Sequence, residues 1–296
     1  MTTPAKTWKI ELHGLPSATL TDREFLTGAA GRPVVLSAAL RLPPGAARVP
    51  AVILLHGSGG LSGYVDDWAR HLNAQGAAAL LVDSFTGRGI DTTFADQDAL
   101  GRLAMILDAY RALDMLAGHP RIDPERISLM GFSRGGQAAL YAAVQRFATL
   151  HGPRRGRYAR HIAFYPACQT RYLEDERLLA VPVHVLHGSA DEMNPIESCR
   201  DYVARARAAG ARIDLHEFRG AHHVFDWPLL AQPIVLRGAK SHRGDRLEER
   251  LPGEIVVART GAPAATAHYE SDPTLAYDAA AHAAAQRIVG ELIASP

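Results

Sequence analysis

A serine flanked by glycines is the part of the sequence best suited to chemistry. Gly131, Ser133 and Gly135 form the pattern Gly-x-Ser-x-Gly between residues 127–130, an apolar run typical of a strand, and residues 137–147, which have helical composition. A serine can attack a carbonyl carbon only when its hydroxyl stands clear of the backbone, and a sharp strand-to-helix turn provides that position. Such a turn crowds its neighbours, which explains the two glycines. We therefore predict that Ser133 is a nucleophile; the alternative is a serine that only caps a tight turn.

Two later loops contain an acid and a histidine. A serine at neutral pH needs a base to take its proton, and the base needs an acid to orient it. Residues 187–195 (HGSADEMNP) follow a predicted strand and include Asp191, and residues 219–226 (RGAHHVFD) follow the last predicted strand and include His222 and His223. Loops at the carboxyl ends of parallel strands meet at one edge of the sheet, and the chain order nucleophile, acid, histidine suits this arrangement. The position directly after a strand favours Asp191 as the acid. The other candidate acids are Asp214, Glu217 and Asp226.

The negative oxygen that forms during attack on a carbonyl needs two hydrogen-bond donors. One is predicted to be the backbone N–H of Arg134, the residue after the nucleophile. The other is predicted to come from the glycine-rich stretch after strand residues 51–55. We favour the backbone N–H of Ser58, because glycines on both sides let the backbone approach closely. A phosphate-binding loop is the alternative, but the stretch lacks the lysine and the following serine or threonine of such loops.

Together these motifs resemble those of the dienelactone hydrolase family of α/β-hydrolases. The resemblance rests on residues 122–136 (IDPERISLMGFSRGG), 187–195 (HGSADEMNP) and 220–226 (GAHHVFD), with residues 54–60 (LLHGSGG) and 83–85 (DSF) in support.

Carried over to this sequence, the resemblance implies that Ser133 is the nucleophile, Asp191 the acid and His223 the base. It implies a metal-independent serine hydrolase that cleaves a carboxylic ester or a lactone through an acyl-enzyme. The enzymes that give the family its name use cysteine as the nucleophile, so Ser133 favours an ordinary ester or lactone over dienelactone. Two alternatives are an amide or peptide hydrolase with the same triad and a non-catalytic small-molecule binding protein of the same fold.

Other polar residues near these motifs have open roles. For the side chain of Arg134 the two alternatives are solvation and binding of a substrate carboxylate. Arg88, in another loop at the carboxyl end of a strand, is a weaker candidate for the same carboxylate role. His222 is predicted to lie near the mouth of the site, either solvated or touching substrate. His56 and His187 each precede a glycine at a strand exit and are predicted to be structural hydrogen-bond donors.

The predicted elements place these residues at one edge of a sheet. Strands and helices alternate along residues 51–218, which predicts an α/β fold with a mostly parallel, doubly wound sheet, the α/β-hydrolase fold that the resemblance implies. Residues 18–26 and 34–42 are predicted to add an antiparallel N-terminal hairpin at the sheet edge. Residues 95–116 are predicted to form a crossover helix, and residues 273–294 a C-terminal helix that covers the sheet.

The length of the chain fits one domain, and residues 1–296 are predicted to form a single α/β-hydrolase domain. Residues 233–272 break the alternation of strands and helices. They contain a polar segment, a short strand-like run and a link rich in glycine, proline and alanine, and they are predicted to be an excursion on the surface.

The charge of the chain points to a small partner. With 32 basic and 31 acidic residues the net charge is +1, which favours neither nucleic acid nor an anionic membrane. The predicted partner is a small-molecule ester or lactone. No cofactor or metal is predicted, because the 14 histidines show no metal-binding spacing and the triad activates the serine itself. Cys168 and Cys199 are predicted to be free thiols in a reduced, cytoplasmic compartment; a disulfide between them is the less favoured alternative.

Overall fold

The computed structural model describes residues 8–241 and 244–295, and an eight-stranded sheet lies at its centre. The strands of this sheet are β1 (Lys9–Thr19), β2 (Arg32–Leu42), β3 (Val49–Leu55), β4 (Ala78–Asp83), β5 (Ile122–Phe132), β6 (Arg160–Phe164), β7 (Val183–Gly188) and β8 (Ile213–Phe218). Their spatial order is β1-β2-β4-β3-β5-β6-β7-β8. Strand β2 is antiparallel to β1 and to β4, whereas the six strands from β4 to β8 are parallel. The predicted mostly parallel sheet with an antiparallel N-terminal hairpin at its edge is therefore confirmed.

Helices cover both faces of the sheet. They are α1 (Asp22–Leu26), α2 (Gly63–Ala74), α3 (Ala104–Ala117), α4 (Arg134–Tyr141), α5 (Gln145–His151), α6 (Ile196–Ala208) and α7 (Ala279–Ala294). Helices α2 and α7 pack on one face, and α3, α4 and α6 pack on the other. In β3, Val52 and Leu54 point to the first face and Ile53 and Leu55 to the second, and all four are buried. Because side chains alternate along a strand, an all-apolar strand such as β3 needs cover on both sides.

The first strand lies earlier than predicted. It spans Lys9–Thr19, and the end of the predicted strand forms the short helix α1 instead. The Thr21 hydroxyl accepts a hydrogen bond from the Glu24 N–H at 3.2 Å, and the Glu24 carboxylate accepts one from the Thr21 N–H at 2.8 Å. This reciprocal pair satisfies two free donors at a helix start, so the Thr-x-x-Glu pattern was the signal for a helix.

The crossover helix begins later than predicted. Its first residue is Ala104, and the earlier part of the predicted range, residues 95–103, contains the 3₁₀ turn Gln97–Ala99 in place of a helix. A Cβ at Gly101 would overlap the carbonyl oxygen of Leu20, so the backbone here lies directly against the segment that follows β1. As a result, the segment around Gln97 approaches the carboxyl edge of the sheet instead of extending the helix.

Residues 233–272 form short strands that pair with one another and with the segment after β6. The hairpin Leu247–Leu251/Glu254–Val257 is antiparallel, and its first strand runs parallel to Thr170–Arg171. The base of the excursion is closed by the pairing of Ile234–Val235 with Thr274–Leu275. Its middle is held by the pairing of Lys240–Ser241 with Glu270–Ser271.

A buried ion pair ties this excursion to the rest of the chain. The Glu249 side chain is fully buried and accepts hydrogen bonds from both terminal nitrogens of Arg146, at 2.6 and 2.8 Å. Its oxygens also accept from the N–H groups of Leu173 and Gly253, at 3.0 and 2.9 Å. A buried carboxylate is stable only when it is paired and hydrogen-bonded in this way. The hairpin is therefore fixed against α5 and the segment that follows β6.

Cys168 and Cys199 form a disulfide, so the prediction of free thiols is wrong. Cys168 follows β6 and Cys199 lies on α6, whose packing brings the two Cα atoms to 5.2 Å. That distance suits a disulfide, and only the tertiary fold creates it. The described ranges contain no helix of the length and apolarity needed to cross a membrane.

Candidate active site

Ser133 occupies a strained turn between β5 and α4. Its backbone has φ 53° and ψ −111°, in a region that side chains with a Cβ rarely adopt. A Cβ at Gly131 would overlap the carbonyl oxygen of Gly135, and a Cβ at Gly135 would overlap that of Leu55 in β3. The prediction that both glycines relieve crowding around the serine is confirmed. Strain of this kind occurs mainly at functional sites.

The structure brings Ser133, His223 and Asp191 together from three separate loops. The Nε2 atom of His223 lies 2.9 Å from the Ser133 hydroxyl oxygen, and its Nδ1 lies 2.7 Å from Oδ2 of Asp191. The His223 side chain is 3% exposed and that of Asp191 is fully enclosed. With its proton on Nδ1 and donated to Asp191, the imidazole has a free lone pair on Nε2 that can accept the serine proton.

The environment of Asp191 favours the ionised carboxylate. Its Oδ1 accepts hydrogen bonds from the N–H groups of Met193 and Asn194, at 2.9 and 2.8 Å. Burial by itself would raise the pKa of Asp191. The neighbouring His223 and the hydrogen bonds from His187 and His223 outweigh burial and hold that pKa well below its ordinary value. Asp191 is therefore suited to orient a histidine and to stabilise its charged form.

An aromatic ring that the sequence did not indicate supports His223. The ring of Tyr165 packs edge to face against the ring of His223, with the two ring centroids 4.7 Å apart. The Tyr165 hydroxyl donates to Asp226 at 2.8 Å, and the indole N–H of Trp68 donates to the other oxygen of Asp226 at 2.7 Å. Val224, directly after the histidine, has φ 59°, which is unusual for a β-branched residue. Asp226 thus supports the ring behind His223 and does not contact the histidine as its acid.

The two remaining candidate acids lie on the surface. Asp214 pairs with Arg207 at 3.3 Å, and Glu217 pairs with Arg200 at 2.5 Å. Neither carboxylate takes part in the hydrogen bonds of His223.

The peptide between Gly57 and Ser58 lies beside the predicted nucleophile. A Cβ at Gly57 would be 3.4 Å from the Cβ of Ser133. His56 donates from Nδ1 to the Gly57 carbonyl oxygen at 2.7 Å and accepts from the Ser84 N–H on Nε2 at 3.1 Å. Burial lowers the pKa of His56, which favours this neutral form. Because the Gly57 carbonyl and the Ser58 N–H belong to one planar peptide, fixing the carbonyl also fixes the direction of the N–H.

Arg134 is buried and takes neither of its predicted side-chain roles. Its backbone N–H is the first of α4 and so has no acceptor within the helix. Its side chain is 2% exposed and donates to the Leu100 carbonyl at 2.9 Å and to the Gln97 carbonyl and carboxamide oxygens at 2.5 and 3.1 Å. The same carboxamide oxygen lies 3.5 Å from the Ser58 hydroxyl. The guanidinium therefore fixes the segment before α3 beside Ser58, and it is neither solvated nor directed at a substrate.

The prediction of a substrate-binding role for Arg88 is also wrong. Its side chain is 1% exposed, and the guanidinium donates two 2.8 Å hydrogen bonds to the buried carboxylate of Asp108. Its remaining donors are used by three oxygens, those of the Ser84 carbonyl, the Ala18 carbonyl and the Thr19 hydroxyl. With every N–H occupied, Arg88 joins the end of β1 to the loop after β4.

His222 is half-buried beside His223. Its Nδ1 is enclosed without a hydrogen-bond partner among residues 8–241 and 244–295. It takes no part in the hydrogen bonds between His223, Ser133 and Asp191.

Comparison with known proteins agrees with the motifs. The family model described as the dienelactone hydrolase family matches residues 36–233, which is more than half of the chain. The chain belongs to the dienelactone hydrolase family. One relative, carboxymethylenebutenolidase 2 of Cupriavidus pinatubonensis, is 30% identical over 215 residues, covering 69% of this chain and 84% of the relative. Membership of the dienelactone hydrolase family identifies the chain as a hydrolase.

Solved structures share the fold at lower sequence identity. A dienelactone hydrolase-like promiscuous phosphotriesterase from metagenomic libraries has a TM-score of 0.60 at 18% identity, covering 96% of this chain and 97% of its own. A thermophilic esterase from the Planctomycetes species Thermogutta terrifontis has a TM-score of 0.50 at 23% identity, covering 65% of this chain and 81% of its own. These likenesses agree with the α/β-hydrolase fold of the dienelactone hydrolase family.

Proposed function

We propose that the chain is a serine hydrolase that cleaves a carboxylic ester or a lactone through an acyl-enzyme. The observation that carries this proposal is the continuous hydrogen bonding from Ser133 through His223 to Asp191, at 2.9 and 2.7 Å. Membership of the dienelactone hydrolase family supports it, as do a relative named as a carboxymethylenebutenolidase and a neighbour of known structure named as an esterase.

In the first half of the proposed reaction, the Ser133 oxygen attacks the carbonyl carbon and its proton passes to Nε2 of His223. Asp191 holds the imidazole by Nδ1 and stabilises its positive charge. The tetrahedral intermediate then collapses, and the proton on Nε2 moves to the leaving oxygen. An ester releases its alcohol at this step, whereas a lactone ring opens and keeps the new hydroxyl on its acyl chain. Both leave the acyl group on Ser133.

In the second half, water attacks the acyl-enzyme and gives a proton to His223. The intermediate collapses, the proton returns to the Ser133 oxygen, and the carboxylic acid leaves. No metal is needed in this scheme, because the base already lies within hydrogen-bonding distance of the nucleophile.

The donors for the negative oxygen are proposed to be the backbone N–H groups of Ser58 and Arg134. The Arg134 N–H has no acceptor within α4, because it is the first N–H of that helix. The direction of the Ser58 N–H is fixed because His56 holds the Gly57 carbonyl of the same peptide. Donors that are already oriented stabilise charge in the transition state without reorganising.

Replacement of the nucleophile tests this function. Ser133→Ala should lower kcat for a short-chain nitrophenyl ester by on the order of 10⁴ or more. A fluorophosphonate probe should label the wild-type protein at Ser133, located by mass spectrometry, and should not label the variant. Full activity in the variant, or a wild-type protein that resists labelling, contradicts the proposal. Matched ester, lactone and amide substrates then separate the ester and lactone hydrolase from an amide hydrolase with the same triad.

A further inference from the structure

A second buried histidine approaches the proposed catalytic acid. His187 lies at the end of β7, four residues before Asp191, and its side chain is fully buried. Its Nε2 is 2.8 Å from the Asn194 carbonyl oxygen and 3.3 Å from Oδ2 of Asp191. This Oδ2 is the oxygen that accepts from His223. Two imidazoles therefore meet at a single carboxylate oxygen.

The hydrogen bonding defines which nitrogen of His187 carries the proton. Both atoms near Nε2 are acceptors, a carbonyl and an ionised carboxylate, so Nε2 must be the donor. Nδ1 is buried and has no partner within the described ranges 8–241 and 244–295. A proton there would be an unpaired buried donor, which is costly. His187 therefore carries its proton on Nε2, and it shares that N–H between Asn194 and Asp191.

Asn194 completes the arrangement around the acid. Its N–H donates to Oδ1 of Asp191 at 2.8 Å, its carbonyl accepts from His187, and its side-chain amide donates to the Tyr165 carbonyl at 2.9 Å. The Tyr165 ring in turn packs against His223. One residue thus links the acid, the second histidine and the ring behind the proposed base.

We propose that His187 is a positioning residue for Asp191: its Nε2–H holds the Asn194 carbonyl and Oδ2 of Asp191 so that the carboxylate stays directed at Nδ1 of His223. Without that donor, the loop that carries Asp191 loses the hydrogen bond between the Asn194 carbonyl and His187 at the end of β7. The carboxylate can then rotate about its side-chain bonds, and His223 spends less time aligned with Ser133. A small misalignment of a catalytic group is costly in rate, because proton transfer depends on geometry. His187 touches neither substrate nor the reacting atoms, and this inference rests on the proposed function.

Two substitutions at the same position distinguish positioning from simple filling of space. His187→Phe keeps a ring of similar size and removes the donor, whereas His187→Gln keeps an N–H near the position of Nε2. For nitrophenyl acetate hydrolysis, His187→Phe should lower kcat roughly 10-fold to 100-fold with KM unchanged, the usual cost of removing a group that orients a functional side chain. His187→Gln should recover most of kcat.

A matched control is available on the neighbouring strand. His161 is also fully buried and also bonds a backbone carbonyl, that of Ala139 at 2.8 Å, but it lies at the amino end of β6, away from the three loops. His161→Phe should leave kcat unchanged. An equal loss of kcat in His161→Phe and His187→Phe would overturn the inference, because any buried histidine would then give the same effect.

Nuclear magnetic resonance gives a test that does not depend on activity. In wild-type protein labelled with ¹⁵N-histidine, the His187 ring should carry its proton on Nε2 and none on Nδ1. The low-field proton of His223 Nδ1, assigned by its loss in His223→Ala, should shift in His187→Phe and stay in place in His161→Phe. A proton found on Nδ1 of His187 overturns the inference even if His187→Phe does not fold.

Labelling of Ser133 keeps the two proposals separate. A wild-type protein that the fluorophosphonate probe fails to label contradicts the proposed function. A labelled protein in which His187→Phe retains the wild-type kcat, or in which His187→Gln is as slow as His187→Phe, contradicts only the role of His187.

Discussion

The guanidinium of Arg134 donates to both the carbonyl and the carboxamide oxygen of Gln97, at 2.5 and 3.1 Å. The residue that follows the proposed nucleophile is thereby tied to the segment that precedes α3. Its side-chain hydrogen bonds within residues 8–241 and 244–295 go to neutral oxygens of Gln97 and Leu100, and none goes to a carboxylate. Hydrogen bonds from a charged donor are stronger than neutral ones, so this contact contributes to stability as well as to the shape of the site.

Arg134→Met tests this structural role. The variant keeps most of the side-chain length and removes the donors, so the buried carbonyls of Gln97 and Leu100 lose their partners. The free energy of unfolding should fall by about 2–4 kcal/mol, measured by urea denaturation. The ratio of KM values for an anionic ester and its neutral analogue should not change, because the side chain does not face the substrate. A rise of KM for the anionic ester alone would contradict this and would indicate that the Arg134 side chain binds a substrate carboxylate. Arg177→Met, at an exposed arginine paired with Glu174, is the control and should leave stability unchanged.

His222 and His223 should differ sharply in their effect on activity. His223→Ala should lower kcat/KM by on the order of 10⁴, since it removes the proposed base. His222→Ala should keep most of the activity, because His222 does not hydrogen-bond Ser133 or Asp191. Steady-state kinetics on one ester substrate decides between them. Comparable losses in both variants would contradict the assignment of His223 as the base.

Stability should fall as the pH is lowered below neutrality, partly through His161. Burial lowers the pKa of His161 to about 4 from an ordinary value of 6.5. Between these two values the unfolded chain binds more protons than the folded chain, so the unfolding free energy decreases as the pH falls. The contribution of His161 to this decrease between about pH 7 and about pH 5 is about 2 kcal/mol.

His161→Asn isolates that contribution. Asparagine can still donate to the Ala139 carbonyl but does not titrate. Urea denaturation at the two pH values should show a smaller fall for the variant than for the wild type. If both proteins lose the same free energy, His161 does not account for the acid sensitivity.

The disulfide between Cys168 and Cys199 should stabilise the folded chain. The two cysteines are 31 residues apart, and closing a loop of that length stabilises by about 3–4 kcal/mol through the unfolded state. A reducing agent should therefore lower the midpoint of urea denaturation in the wild type and have no effect on the double variant Cys168→Ser/Cys199→Ser. Two free thiols in unreduced, denatured wild-type protein would show that the disulfide is absent. Disulfides are rare in reduced compartments. The predicted cytoplasmic location therefore no longer has free thiols as support.

The residues proposed for chemistry could be found in the sequence because each leaves a local signal. A nucleophile on a sharp turn needs glycines at fixed offsets, and the acid and the histidine each lie in a loop directly after a predicted strand. In a parallel sheet those strand ends share one edge, so chain order and strand pattern predict that the loops of Ser133, Asp191 and His223 meet. The choice of His223 over His222 rested on the resemblance to the dienelactone hydrolase family. The mostly parallel sheet was predictable for the same reason, since all-apolar strands such as β3 need cover on both faces.

Contacts between segments far apart in the chain could be decided only by the tertiary structure. Three such contacts could not be predicted, because they depend on how helices and loops pack. They are the ion pair Arg88–Asp108, the hydrogen bond from Arg134 to Gln97 and the disulfide Cys168–Cys199. The same holds for Arg146 and Glu249, which fix the excursion, and for the ring of Tyr165 behind His223. The local sequence pattern thus determined which residues are candidates for catalysis. Packing decided which charged and polar groups hold those residues in position, because a buried donor or acceptor must pair with a partner that the fold places nearby.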